Sequence, residues 1–191
     1  APSLPHGLRI VCIDDSAIAQ RLLVHQLMKL AAPAEVRTYG NDPTDVSEFV
    51  KQALGHADIA ILDQNIDFPQ KTFLGTDIVE ELLSQGFGGL LCIRSANTAD
   101  HDVALYKRSG AHCVLSKEFS GEEMIRSLVE AWTRHSAGIS LLSCTSRSMA
   151  TFRARLAGAN ACCSAAPKYK VRGHAAVDID AESDSESESE L

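Results

Sequence analysis

The sequence lacks a long hydrophobic segment. None of its 191 residues belongs to an uncharged apolar stretch approaching the ~20 residues that a membrane helix needs, and the N-terminal APSLPHG has no basic region followed by an apolar one. We therefore expect a chain without a membrane segment, in the cytosol or the nucleus. The sequence also lacks an internal repeat and a helix-turn-helix pattern, so a repeat protein and a DNA-binding output domain are both disfavoured.

Cysteine is present at six positions but lacks the spacing of a zinc site, because no CxxC pairs with a second one. Three of the six lie inside apolar runs, at Cys12, Cys92 and Cys113. We expect these three to be reduced, buried thiols.

Charge is unevenly distributed along the chain. The net charge is −7, yet residues 134–177 carry seven Lys and Arg and no acid, whereas residues 178–191 carry seven acids and no base. The last stretch, DIDAESDSESESEL, has no apolar periodicity and is predicted to be disordered. The sequence thus predicts a linker over 1–6, one domain over 7–135, and a flexible tail over 136–191 that is basic and then rich in Ser and acid.

Within the predicted domain, apolar runs alternate with amphipathic segments. The runs are LRIVCI (8–13), EVRTY (35–39), DIAIL (58–62), GLLCI (89–93) and HCVLS (112–116). Helical spacing occupies the intervals over 16–30, 44–55, 75–86, 98–109 and 119–135. Five strands alternating with five helices predict a doubly wound α/β domain with a parallel sheet, in which ligands bind beyond the carboxyl ends of the strands.

Polar residues follow four of the five predicted strands. Asp14 and Asp15 follow the first, Asp63 the third, Ser95 the fourth and Lys117 the fifth. Singly, each is more often a helix cap, a turn residue or a solvated side chain. Together, at one edge of a parallel sheet, three carboxylates, a hydroxyl and an ammonium form a complete set for phosphoryl transfer.

The chemistry of phosphoryl transfer accounts for each residue type. Carboxylates are the hard ligands that Mg²⁺ prefers, so Asp14, Asp15 and Asp63 can supply a Mg²⁺ site. A carboxylate can also attack phosphorus, and Asp63 is the central candidate because it leaves the middle of the sheet. The ammonium of Lys117 can neutralise carboxylate and phosphoryl oxygens, and the hydroxyl of Ser95 can donate to a phosphoryl oxygen.

The motifs IDDS, ILD, SA and K, at these spacings, resemble the receiver domain of two-component response regulators over roughly residues 7–135. The resemblance implies a flavodoxin-like fold with a five-stranded parallel sheet of order 2-1-3-4-5 and five helices. It also implies that Asp63 is the phosphoacceptor of a phosphorelay, taking the group from a phosphohistidine on a histidine kinase or a histidine phosphotransfer protein.

The same resemblance implies roles for the other site residues. Asp15, Asp63 and the backbone carbonyl of Asn65 would bind Mg²⁺, with Asp14 acting through water. Ser95 and Lys117 would close on the phosphoryl group and relay the change to the surface of the fourth helix and fifth strand, where a downstream protein binds. Phosphorylation and dephosphorylation of its own aspartate would then be its only catalysis.

The sequence departs from the family in three places. Val114 occupies the switch position, three residues before the lysine, where the family usually has an aromatic ring, and Glu118 replaces the usual proline after the lysine. The connection QNIDFPQKTFLGTD after Asp63 is longer than usual; it is predicted to be a solvated surface insertion, with a lid or a partner contact as the alternatives.

Two other functions compete with the receiver hypothesis. A haloacid-dehalogenase-like Mg²⁺ phosphatase also uses a nucleophilic Asp, but CIDDSA lacks that family's second Asp two positions after the first. The other is a receiver-like interaction scaffold that is not phosphorylated; Asp63, Ser95 and Lys117 argue against it, whereas Val114 and Glu118 leave it open. The N-terminal Ala and Pro-rich start are also consistent with the C-terminal piece of a hybrid histidine kinase.

Overall fold

The computed structural model describes residues 3–145, with side chains through residue 138. Five strands form one parallel sheet: β1 (Arg9–Ile13), β2 (Glu35–Tyr39), β3 (Ile59–Asp63), β6 (Leu90–Ser95) and β7 (Cys113–Ser116). Their order is β2-β1-β3-β6-β7, which confirms the predicted order 2-1-3-4-5. The central strand β3 is buried along its whole length, as its continuous apolar run predicts.

Helices cover both faces of the sheet. The helices are α1 (Ala17–Leu30), α2 (Asp45–His56), α3 (Gly75–Ser84), α4 (Asp100–Arg108) and α5 (Gly121–Thr145). On one face, a core that includes Phe49 and Leu82 packs beneath α2, α3 and α4; on the other, Leu27 and Leu128 of α1 and α5 pack together. The doubly wound fold class predicted from the alternation is therefore confirmed. Cys12, Cys92 and Cys113 are buried free thiols, also as predicted.

The long connection after Asp63 folds as an antiparallel hairpin. Its strands are β4 (Asn65–Phe68) and β5 (Lys71–Leu74), joined by a turn at Pro69 and Gln70. Ile66 and Phe73 face each other across the hairpin and are both buried in the core beneath α3. The connection is thus at the surface, but one of its two faces is part of the core.

Two predicted boundaries shift. Leu4, placed in the predicted linker, is only 4% exposed and packs with Leu8 against the α1–α5 core. The last helix continues to Thr145 rather than ending at residue 135, because no proline follows until Pro167 and Gly138 alone does not stop a helix. The predictions for residues 146–191 lie outside the described residues. Within residues 3–145, no helix is long and apolar enough to cross a membrane.

Candidate functional site

The carboxyl ends of β1 and β3 bring three carboxylates together. The register pairs Ile13 with Leu62, so Asp14 and Asp63 are the next residues of adjacent strands. Oxygens of Asp14, Asp15 and Asp63 lie within 4.8 Å of one another; Asp14 and Asp63 are buried and Asp15 is exposed. The sequence prediction that these three residues share one edge of the sheet is confirmed by this geometry.

Asp14 is held in place by the start of α1. Its Oδ1 accepts a hydrogen bond from the Ser16 backbone N–H at 2.9 Å, and the Gln20 side-chain amide donates to its backbone carbonyl at 2.7 Å. Ser16 itself caps α1 by accepting from the Ala19 N–H. The polar residues after β1 therefore begin α1 and also orient the Asp14 carboxylate. The segment can serve as a helix cap and as part of the site at the same time.

Lys117 joins the two buried carboxylates. Its Nζ lies 2.8 Å from Asp63 Oδ2 and 3.3 Å from Asp14 Oδ2. The Lys117 backbone N–H donates to the Ser95 carbonyl, which continues the β6–β7 pairing and fixes where the side chain starts. Burial alone lowers the pKa of Lys117, but the Asp63 and Asp14 carboxylates outweigh it, so its pKa is raised and the ammonium stays charged.

The pKa of Asp63 is well above that of an ordinary aspartate. Burial raises its pKa to about 6; the hydrogen bond from Lys117 opposes this rise, and the nearby negative charge of Asp14 adds to it. The single positive charge of Lys117 therefore does not neutralise the three carboxylates. This is the electrostatic setting in which an additional cation is favourable, and the three carboxylates offer the oxygen ligands that a hard cation such as Mg²⁺ takes.

Ser95 lies at the site edge but is engaged on the other side of the sheet. It is 2% exposed, and its Oγ lies 3.1 Å from the Tyr106 Oη of α4 and accepts from the Asn97 N–H at 3.0 Å. The residue before it, Arg94, is the register partner of Asp63 and so points to the same face as Asp63. Ser95 therefore points to the opposite face, towards α4.

Sequence reasoning missed Arg94. Its guanidinium is buried, and Nη1 lies 3.5 Å from Asp14 Oδ2. Among the side chains that the structure describes, Nη1 has no hydrogen-bond partner. The charge of the cluster is thus three carboxylates against two cations, Lys117 and Arg94. A charged residue inside the otherwise apolar run LLCIRS, one position before Ser95, was the signal that could have identified it.

The hairpin contacts the site through Asp15. The backbone N–H of Asp67 in β4 donates to Asp15 Oδ2 at 3.2 Å. Asn65, whose carbonyl was predicted as a Mg²⁺ ligand, is exposed at the start of β4, two residues after Asp63. Val114 is half-buried in β7, against the core that contains Tyr106. The ligand role of Asn65 and the switch role of Val114 remain predictions.

Comparisons with known proteins identify the fold. No family model and no curated protein matches the sequence. Among solved structures, the signal receiver domain of the response regulator NarL from Mycobacterium tuberculosis has a TM-score of 0.54 and 20% identity, covering 68% of this chain and 98% of that chain. The chemotaxis protein CheY4 from Vibrio cholerae has a TM-score of 0.55 and 22% identity, covering 65% and 98%.

A third solved structure, the signal receiver domain of a Luxo repressor protein from Vibrio parahaemolyticus, has a TM-score of 0.58 and 15% identity, covering 71% of this chain and 97% of that chain. Identities this low establish the fold and leave the chemistry to be argued from the site. Residues 3–145 of this chain have the flavodoxin-like fold of response-regulator receiver domains.

Proposed function

We propose that this domain is a phosphoacceptor receiver of a two-component phosphorelay, with Asp63 as the residue that is phosphorylated. The observation that supports it most strongly is the position of Asp63, buried at the end of the central strand, 2.8 Å from Lys117 and next to Asp14 and Asp15. The fold places these residues where doubly wound sheets bind ligands. The function also rests on the receiver fold of the solved neighbours.

In the proposed reaction, a carboxylate oxygen of Asp63 attacks the phosphorus of a phosphohistidine on a histidine kinase or phosphotransfer protein. The new O–P bond forms as the N–P bond breaks, and the electron pair of that bond goes to the ring nitrogen, so that an imidazole whose second nitrogen already carries a proton leaves as the neutral ring. Lys117 Nζ, already hydrogen-bonded to Asp63, stabilises the negative charge that gathers on the phosphoryl oxygens. Asp14 and Asp15, with Asp63, would hold the Mg²⁺, which when bound offsets repulsion between the two anions.

The raised pKa of Asp63 and the reaction are consistent at neutral pH. With a pKa of about 6, Asp63 is mostly ionised at pH 7 and is available as a nucleophile. Burial and the charge of Asp14 make the ionised form of Asp63 unfavourable, and the same surplus of negative charge favours a cation at the site. Binding of a cation should therefore be coupled to ionisation of Asp63.

The test is intact mass spectrometry after incubation with acetyl phosphate and Mg²⁺, followed by borohydride reduction and peptide mapping. We expect one phosphoryl adduct, located at Asp63, that is absent when Mg²⁺ is chelated. Asp58→Asn is the matched control, because Asp58 lies just before the opposite end of β3, where it pairs with Arg9; it should still form the adduct.

Two results would overturn the proposal in different directions. A folded sample that binds Mg²⁺ but forms no adduct would identify the protein as a receiver-like scaffold. Many turnovers of a phosphomonoester that depend on Asp14 would instead identify a phosphatase.

Arg94→Met should increase the affinity for Mg²⁺. The guanidinium lies 3.5 Å from Asp14 and supplies one of the two positive charges in the cluster. Removing a unit charge near a partly solvated cation site is worth on the order of 1 kcal/mol, which corresponds to roughly fivefold tighter binding. Isothermal titration calorimetry with Mg²⁺ measures this directly. Arg9→Met is the control, because it removes an arginine that pairs with Asp58 at the other end of the sheet; a gain no larger than that of Arg9→Met would contradict the prediction.

A further inference from the structure

Two cysteines lie opposite each other on neighbouring strands of the sheet. Cys92 in β6 and Cys113 in β7 are register partners, and both side chains lie in the core that α1 and α5 cover. Neighbouring strands lie about 4.8 Å apart, and the Cα atoms of a disulfide are usually separated by about 4.4–6.8 Å. The backbone therefore already holds these two cysteines at a distance that a disulfide can span.

Cys12 is a third buried thiol on the same face, but the sheet keeps it out of reach. It lies in β1, and its register partner Ile61 in β3 separates it from Cys92. Two strand spacings are about 9.6 Å, beyond the limit of about 7 Å between the Cα atoms of a disulfide. Burial also raises the pKa of the Cys12 thiol to about 12, so this thiol stays protonated. Cys12 is therefore a natural control, as buried as Cys92 but too far from it to be linked.

Cys113 is the more accessible of the two opposed cysteines. It belongs to the edge strand β7 and lines a groove of about 550 Å³ between α4 and α5. It is 7% exposed, whereas Cys92 is fully buried. The same groove holds Arg134 and Lys107, whose charges favour a negative sulfur, and Glu130, whose charge opposes it. Cys113 is thus the thiol that a small oxidant in the groove meets first.

Hydrogen bonds give the two thiols different roles. The Cys92 thiol donates to the Cys113 sulfur, and the Cys113 thiol donates to the Ser127 backbone carbonyl in α5 at 3.8 Å. The hydrogen bond from Cys92 lowers the pKa of Cys113 and outweighs the opposing effect of burial, while burial raises the pKa of Cys92. Because the thiolate is the reactive form of cysteine, Cys113 is the nucleophile and Cys92 lies next to it as a second thiol.

We propose that Cys113 and Cys92 form a reversible disulfide site, in which a peroxide oxidises Cys113 and Cys92 then closes the bond. The Cys113 thiolate attacks one peroxide oxygen, the S–O bond forms as the O–O bond breaks, and the other oxygen leaves as water or an alcohol after taking a proton. The Cys92 sulfur then attacks the sulfur of the Cys113 sulfenic acid, and the hydroxyl leaves with the Cys92 proton as water. The two thiols lose two electrons in total, and the peroxide gains them. This site goes beyond the proposed phosphorylation of Asp63 and does not depend on it.

The experiment exposes the full chain to hydrogen peroxide, blocks free thiols with N-ethylmaleimide in denaturant, and maps tryptic peptides by mass spectrometry without a reductant. Trypsin places Cys92 and Cys113 on separate peptides, residues 72–94 and 109–117, so a link between them has its own mass. We expect this linked pair, lighter by two hydrogens than the two reduced peptides together, and we expect dithiothreitol to abolish it. The link should be lost in Cys92→Ser and in Cys113→Ser, and Cys12→Ser should form it as the unmutated chain does.

Dimedone, which captures sulfenic acids, tests the order of the two steps. In Cys92→Ser we expect the dimedone adduct at Cys113, because the oxidised sulfur has no second thiol to attack it. In Cys113→Ser we expect Cys92 to remain reduced. A dimedone adduct at Cys92 in Cys113→Ser, with none at Cys113 in Cys92→Ser, would overturn the assigned roles.

Concentrated urea separates a site that the fold builds from chance pairing among the six cysteines of the chain. The link between Cys92 and Cys113 should give way to mixed pairings when the strands are unfolded. A link that is equally abundant in urea, or a folded chain in which Cys113 pairs elsewhere or stays reduced, would overturn the proposal. If a variant does not fold by circular dichroism, the unmutated chain with and without urea decides. No phosphodonor is present, so none of these results bears on the phosphorylation of Asp63.

Discussion

Asp63→Asn should abolish the phosphoryl adduct and, in metal-free buffer at pH 7, make the protein more stable. Burial and the neighbouring Asp14 raise the pKa of Asp63 to about 6, so the folded protein holds the charged form at a cost. Asparagine has nearly the same shape and no charge, and Lys117 keeps Asp14 as a partner at 3.3 Å. We expect the free energy of unfolding to rise by about 2 kcal/mol, somewhat less than the full pKa difference because one hydrogen bond to Lys117 weakens.

The pH dependence follows from the sign of the shift. The pKa of Asp63 is higher in the folded protein, about 6, than its ordinary value of 3.8. Its favourable contribution is therefore complete below pH 3.8 and is lost as the pH rises through 6. Urea unfolding at several pH values in EDTA should show this loss between pH 4 and 7 in the unmutated chain and not in Asp63→Asn.

The control for this measurement is Asp58→Asn, which removes a partly exposed carboxylate of the same strand region paired with Arg9. It should retain the pH dependence between pH 4 and 7. If Asp63→Asn is less stable than the unmutated chain at pH 7, Lys117 stabilises Asp63 more than burial destabilises it, and the electrostatic account of the site is wrong. A gain in stability together with a loss of the adduct would mark Asp63 as a residue kept for its chemistry.

The fold could be predicted from the sequence because its signals are local. Continuous apolar runs such as that of β3 are typical of strands covered on both faces, and the alternation with amphipathic helices then favours a parallel sheet. Asp14, Asp63 and Lys117 could be predicted to meet for the same reason, since parallel strands bring their carboxyl ends to one edge. Their positions follow from the topology and need no knowledge of individual contacts.

The parts that were missed depend on contacts between distant segments. The ion pair between Arg94 and Asp14 forms because the Arg94 side chain extends from β6 across β3 to the end of β1. The periodicity of a strand shows which face a side chain is on, but not how far it extends, so this contact could not be predicted. Tyr106 reads as one apolar position of an amphipathic helix; its bond to Ser95 appears only when α4 is docked. For the hairpin, the alternation of apolar and polar residues around Ile66 and Phe73 is a signal for two strands, whereas the length of the connection indicates only that part of it lies at the surface.

Gly75→Ala should strongly destabilise the domain by crowding the backbone of the phosphoacceptor. A Cβ on Gly75, the first residue of α3, would lie 2.3 Å from the Asp63 carbonyl oxygen and 3.0 Å from Ile93 Cδ1. The Gly75 N–H also donates to the Gln64 carbonyl at 2.9 Å, so the two segments cannot separate without losing that bond. Because the obstructing atom is backbone, we expect a loss of about 3 kcal/mol, at the upper end of the range for overpacking.

Gly55→Ala is the matched control, since Gly55 also lies in a helix and a Cβ there meets nothing within 4 Å. Alanine is the better helix former, so this variant should be more stable by about 0.5 kcal/mol. Urea unfolding measures the change in the free energy of unfolding for both variants. Equal changes would show that Gly75 is not required for the close approach of α3 to Asp63. If Gly75→Ala is less stable and Gly55→Ala more stable than the unmutated chain, the rate of adduct formation by Gly75→Ala is measured at a urea concentration below its midpoint of unfolding. A slower rate in the folded population would mean that the helix start fixes the position of the Asp63 carboxylate, because the substitution changes no charged or hydrogen-bonding side chain.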